Sequence, residues 1–143
     1  LFDALLRRKQ AAKNVTAATW KALELTGLTP YANELAANLS YGKRKYLEIA
    51  RALAFSPQLL ILDEPAAGLN DTETAELSKF LRRLNEHGTT LLLVEHDLNL
   101  VMNLCRRVLV LASGQLIADD TPQVIAQNKA VQDVYLGSEE VAA

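Results

Sequence analysis

Leu59-Leu60-Ile61-Leu62-Asp63-Glu64-Pro65 decides the fold. An unbroken apolar run of strand length reads as a buried parallel strand, and the acids at its end fall at the carboxyl edge of a sheet, where α/β proteins bind ligands. Pro65 stops the strand because it has no N–H to give to a ladder. Successive side chains on a strand point to opposite faces, so Asp63 and Glu64 are expected to take different tasks, one toward a metal and the other toward a water. By itself an Asp-Glu pair reads more simply as a strand end with two solvated acids. The flanking sequence turns that reading.

Downstream, Ala66-Ala67-Gly68-Leu69-Asn70-Asp71 is a tight connection to a helix that starts near Asp71 or Thr72, has Glu73 and Glu76 in its early turns, and buries Leu77, Phe80, Leu81 and Leu84. Gly88 ends it, and Thr89 to Val94 is a second buried strand. Strand, crossover helix and strand make a right-handed parallel unit, which brings Glu95-His96-Asp97 to the same edge as Asp63-Glu64. Asp97 is expected to cap a helix with Leu98, Val101, Met102 and Cys105 inward. Val108 to Ala112 forms a third strand, Ser113-Gly114 turns it into a hairpin partner at Gln115 to Ala118, and Thr121-Pro122 opens the closing short helices.

Upstream, Ser40 and Gly42 stand at the start of a helix whose inner face is Leu47, Ala50, Leu53 and Ala54. A hydroxyl, free backbone N–H groups and the positive dipole end make that start an anion site, although Ser40 would serve as an N-cap with no ligand at all. Ser56-Pro57 closes this helix. Thr16 to Leu25 is expected to be helical with Ala17, Trp20 and Leu23 packed inward, Lys21 and Glu24 toward solvent, and Gly27 as its stop. Leu1 to Leu6, ahead of the solvated basic run Arg7-Arg8-Lys9, is expected to be helical as well.

The 143 residues, half of them apolar, suffice for one ordinary core. A net charge of −2 argues against nucleic-acid binding through bulk charge. Cys105 is the one cysteine; it has no partner for an internal disulfide, lacks metal-ligand spacing, and fits a small core residue of a reducing compartment. The start lacks the basic region and apolar stretch of a secretory signal, and the longest apolar runs are too short to span a bilayer. The sequence opens without Met, which leaves open that it belongs to a longer polypeptide.

Three segments resemble the ATP-binding-cassette (ABC) ATPases: Leu39-Ser40-Tyr41-Gly42-Lys43 is similar to the signature sequence, Leu59 to Glu64 to the Walker B strand, and Glu95-His96-Asp97 to the switch-histidine segment, in the family's order and spacing. The resemblance covers essentially the whole chain. It implies an α/β fold, a partial P-loop NTPase (RecA-like) core with a parallel sheet plus an α-helical signature subdomain, divided as residues 1–57 (helical) and 58–143 (C-terminal core). Tyr41, Leu47-Glu48-Ile49-Ala50-Arg51, Ala66-Ala67-Gly68-Leu69-Asn70 and Val134-Tyr135-Leu136-Gly137 are similar to ATPases of branched-chain amino-acid importers. The relatives that power lipopolysaccharide export share that ending.

The sequence departs from the family pattern where Tyr41 replaces Gly, Lys43 replaces Gln and Asn70 replaces the D-loop aspartate. Nowhere does Gly-x-x-x-x-Gly-Lys-[Ser/Thr] occur, so no segment of this sequence cradles the β- and γ-phosphates, and the expectation is of the C-terminal portion of an ATPase, inactive alone. In the complete enzyme the resemblance implies that Asp63 holds Mg²⁺, Glu64 activates the attacking water, and His96 contacts the γ-phosphate. Ser40, Tyr41, Gly42, Lys43 and Asn70 then meet ATP bound across a dimer. It further implies transmembrane permease subunits and a second ATPase subunit as partners, no nucleic acid, and peripheral residence at the cytoplasmic face of the inner membrane. Two other classes remain open: an ABC protein of translation or repair, which would carry tandem cassettes or coiled-coil insertions, and an interaction module that has lost nucleotide binding.

Overall fold

A computed structural model describes residues 16–139. The expected helix at Leu1 to Leu6 lies outside them. The described residues form two compact units, divided between Val94 and Glu95.

In the first unit, α1 (residues 16–25) ends in paired closing bonds, Leu28 N–H to the Leu23 carbonyl at 2.8 Å and Gly27 N–H to the Glu24 carbonyl at 3.1 Å. The buried face of α1 is not the expected one. Ala22 and Thr26 are buried while Trp20 is half exposed and Ala17 lies open. The closure explains the rotation: it draws Leu28 inside, and the small residues Ala22 and Thr26 on that side let the helix lie close. The Thr26 hydroxyl is satisfied by the Ala22 carbonyl at 2.8 Å.

Two 3₁₀ turns, Thr29–Tyr31 and Ala36–Asn38, lead to α2 (Tyr41–Leu53). Helix α2 buries Ile49, Ala50 and Leu53, whereas Leu47 and Ala54 are only partly covered. Strand β1 (Leu59–Asp63), helix α3 (Asp71–Glu86) and strand β2 (Thr90–Val94) then form the parallel unit, with Leu60 opposite Leu91 and Asp63 opposite Val94. All of the expected stripe of α3, Leu77, Phe80, Leu81 and Leu84, is buried. Gly88 at φ +94° carries the chain out of α3, in a region that side-chain-bearing residues rarely adopt.

The expectation of strands buried on both faces is corrected. Burial alternates along β1: Leu60 and Leu62 are inside, while Leu59 and Ile61 are 50% and 60% exposed. Leu92 and Val94, on the same face by register, are also exposed. A two-stranded sheet covered on one side gives period-two burial whatever the composition of its open face.

The second unit comprises α4 (Leu98–Leu104), β3 (Val108–Ala112), β4 (Gln115–Asp120), α5 (Pro122–Gln127) and α6 (Lys129–Glu139). The hairpin is as expected, β3 and β4 pairing antiparallel around Ser113-Gly114, and its strands form a sheet of their own. Val110, Ile125 and Val131 make the core, with Met102, Val108, Ile117 and Ala118 packed against it. In α4 the fully buried residue is Leu100 rather than Leu98, which is 41% exposed. Arg107 donates to both carboxylate oxygens of Asp119 at 2.7 and 2.6 Å, which holds the Asp119 carboxyl below its usual range.

Candidate active site

Asp63 is the last residue of β1, and Glu64 leaves the strand in the left-handed region at φ +45°. A non-glycine residue there is uncommon and is held by its surroundings. The Glu64 N–H donates to the Val94 carbonyl at 2.8 Å, extending the ladder by one bond, and its carbonyl accepts from Ala67 N–H at 3.1 Å and from Lys45 Nζ at 3.4 Å. Strand alternation therefore stops at Asp63. The two carboxylates are separated by a backbone turn rather than by the pleat invoked from sequence. Both residues are exposed, and Asp63 lines a hollow of ≈ 230 Å³ together with Lys45, Glu48 and Ile61.

At the start of α2 the Ser40 hydroxyl oxygen accepts from Lys43 N–H at 3.4 Å, so Ser40 is the N-cap. A serine hydroxyl also carries a donor, and capping leaves that donor available to an anion oxygen. The N–H groups of the first turn lack intrahelical partners by the geometry of any helix start. Gly42 has little room: a Cβ there would lie 3.0 Å from Glu73 Oε1. Lys43 Nζ donates to the Tyr31 hydroxyl at 2.6 Å, which fixes its ammonium beside the 3₁₀ turn.

The loop after β1 is tied at both ends. Asn70 Oδ1 accepts from Glu73 N–H at 3.0 Å while Glu73 Oε2 accepts from Asn70 N–H at 3.1 Å, a reciprocal cap on α3. In the middle, the Tyr41 hydroxyl donates to the Ala67 carbonyl at 3.0 Å. Sequence reasoning missed Lys45, Ala67 and Glu73 as members of this assembly. The spacing Asn70-x-x-Glu73 was a legible capping signal, whereas nothing local to Lys45 or Ala67 announces a partner about twenty residues away.

The structure thus brings Ser40, Tyr41, Gly42, Asp63, Glu64 and Asn70 into one unit. His96 belongs to the other unit and follows β2 directly in the chain; its N–H donates to Glu95 Oε2 at 3.3 Å. Asp97 caps α4 as expected, its Oδ1 accepting from Leu100 N–H at 3.0 Å. Among the described residues no group of three or more His, Cys, Asp or Glu could hold a metal ion by itself. Mg²⁺ held together with a nucleotide takes one or two carboxylates and fills its remaining positions with phosphate oxygens and water. Asp63, an exposed hard oxygen donor at the sheet edge, is suited to that role.

Residues 2–67 match the ABC transporter family and residues 115–141 the branched-chain amino acid ATP-binding cassette transporter family. Fold agrees: the structure superimposes on the ADP conformation of MJ1267, an ATP-binding cassette of an ABC transporter, with a TM-score of 0.79 at 29% identity, covering 86% of this chain and 50% of that one. The chain belongs to the ABC ATPases. Within them it is 47% identical to the high-affinity branched-chain amino acid transport ATP-binding protein LivG of Escherichia coli, over 96% of this chain and 55% of LivG. It is 44% identical to BraF of Pseudomonas aeruginosa, a protein of the same description, over 92% of this chain and 51% of BraF. The chain spans about half the length of the curated relatives it matches.

Proposed function

We propose that this chain contributes the signature helix, the Walker B strand and the switch histidine to an ABC ATPase that drives import of branched-chain amino acids. The observation that carries the reading is the register of β1 on β2, Asp63 opposite Val94, which sets the Asp63-Glu64 turn at a carboxyl edge in the same unit as the capped start of α2. The similarity to LivG and BraF supports the substrate class.

In an assembled ATPase that also holds a phosphate-cradling loop, Asp63 would hold Mg²⁺ through water, and the ion would supply charge neutralisation at the phosphates. Glu64 orients the attacking water and accepts its proton. His96 contacts the γ-phosphate. The Ser40 hydroxyl and the first N–H groups of α2, with Tyr41, Gly42 and Lys43 around them, close on ATP held by the opposing subunit, and Asn70 bridges the two sites by amide hydrogen bonds. Residues 1–57 act as the helical subdomain that meets the permease and residues 58–143 as the catalytic core, at the cytoplasmic face of the membrane. Among the described residues no helix is long and apolar enough to cross a membrane.

Coexpression with the membrane subunits and binding protein of a branched-chain amino-acid importer tests this reading. The ATPase carrying this sequence is expected to copurify with them and to support ATP-dependent leucine uptake. Failure of both, or copurification with ribosomes instead, would overturn it. For the chain alone, calorimetry with Mg-ATP is expected to show no saturable binding, because positioning of the phosphates carries most of phosphoryl-transfer catalysis and of substrate affinity.

A further inference from the structure

We infer that Tyr41 is a positioning residue that fastens the loop bearing Glu64 and Asn70 to the first turn of α2, so that the helix start and the water-activating carboxylate move as one piece. Its functional consequence rests on the nucleotide reading above; the fastening itself rests on geometry.

Three contacts make the clasp. The Tyr41 hydroxyl donates to the Ala67 carbonyl at 3.0 Å. The hydroxyl end of its ring lies beside Gly68, close enough that a Cβ on Gly68 would sit 2.9 Å from Tyr41 Cε1 and 3.1 Å from Cζ. One turn along α2, Lys45 reaches the Glu64 carbonyl at 3.4 Å, and its ammonium lies 5.7 Å from the Tyr41 ring centroid, with the Arg44 guanidinium at 5.9 Å. The carbonyls of Glu64 and Ala67 are therefore both held by side chains one turn apart on the same helix. Gly68, at φ +77°, supplies the backbone shape and the bare surface this approach needs.

A glycine at position 41, the residue of the usual signature, could make neither the bond to Ala67 nor the contact with Gly68. The departure that removes a bare backbone from the helix start supplies a strut to the catalytic loop. Across the seven residues from Glu64 to Asn70, the bonds Ala67 N–H to Glu64 and Leu69 N–H to Ala66 shape the turn, while the Glu64 N–H bond to Val94 and the Asn70–Glu73 cap tie its two ends to β2 and α3. Tyr41 and Lys45 add the tie to α2.

Hydrogen exchange on the chain tests the clasp. Tyr41→Phe keeps the ring and deletes the hydroxyl; it is expected to speed exchange of the Ala67 and Leu69 amides roughly fivefold, with Tyr41→Gly roughly tenfold or more, while the α3 amides of Leu77, Phe80 and Leu81 keep their rates. Unchanged rates at Ala67 and Leu69, or equal acceleration throughout α3, would overturn the inference. In the complete ATPase, Tyr41→Phe is expected to lower kcat severalfold and leave KM for ATP within about twofold. Faster loop exchange with unchanged kcat would also overturn it. If instead Glu64→Gln retained full hydrolysis, the nucleotide reading would fail while the exchange result stood, so the two failures are distinguishable.

Discussion

Asn70 and Glu73 hold each other's backbone, Oδ1 of one accepting from the N–H of the other at 3.0 Å and Oε2 returning the bond at 3.1 Å. The residue that replaces the D-loop aspartate is thus also the N-cap of α3. Asparagine and aspartate cap about equally well, and Asp71 and Glu73 already place acid charge in this first turn. Asn70→Ala is expected to lower the unfolding free energy by about 1 kcal/mol and Asn70→Asp to change it by less than about 0.5 kcal/mol. Urea denaturation of the three proteins measures this.

Leu77 and Leu81 of α3 are 0% exposed. Truncating either leaves a cavity between α3 and the elements it packs on, and Leu81→Ala is expected to cost about 3 kcal/mol. Leu35→Ala, at a position 72% exposed, is expected to stay within about 0.5 kcal/mol of the parent. The same denaturation experiment compares them.

A Cβ on Gly68 would lie 2.9 Å from Tyr41 Cε1, and the residue adopts φ +77°. Gly68→Ala is expected to lower Tm through both effects. In a Tyr41→Ala background only the backbone strain remains, so the cycle is expected to show a coupling of about 1 kcal/mol or more. Additive losses would mean that the ring and the glycine do not touch.

Burial pushes the Cys105 thiol above its ordinary range. Alkylation at neutral pH is expected to be several times slower than that of a small free thiol, and to climb with pH toward a plateau reached only above the raised value. By linkage the neutral thiol's contribution to stability is complete below the unfolded pKa and is lost as pH rises through the folded one. Pseudo-first-order alkylation rates across that range check the direction.

Periodicity made the scaffold readable. The β1 run, the stripe of three leucines and one phenylalanine on α3, the capped start of α2 and the β3–β4 hairpin all stand where local pattern put them, because each is decided within a few residues. Face selection was not readable. Trp20 and Leu98 are exposed and Ala22 and Leu100 buried because the side of a helix that turns inward depends on its closing bonds and on what it meets. At the candidate site the carboxylates, the cap and the loop were legible by type, whereas the left-handed Glu64 backbone and the Tyr41–Ala67 bond are products of tertiary contact between segments that no local window spans.

The central claim is that Glu64 activates water while other groups bind the nucleotide. In the complete ATPase, Glu64→Gln is expected to abolish steady-state ATP hydrolysis while ATP still binds with near-parental affinity and the closed dimer accumulates. Hydrolysis at a rate close to that of the parent would contradict the assignment and, with it, the account of this site.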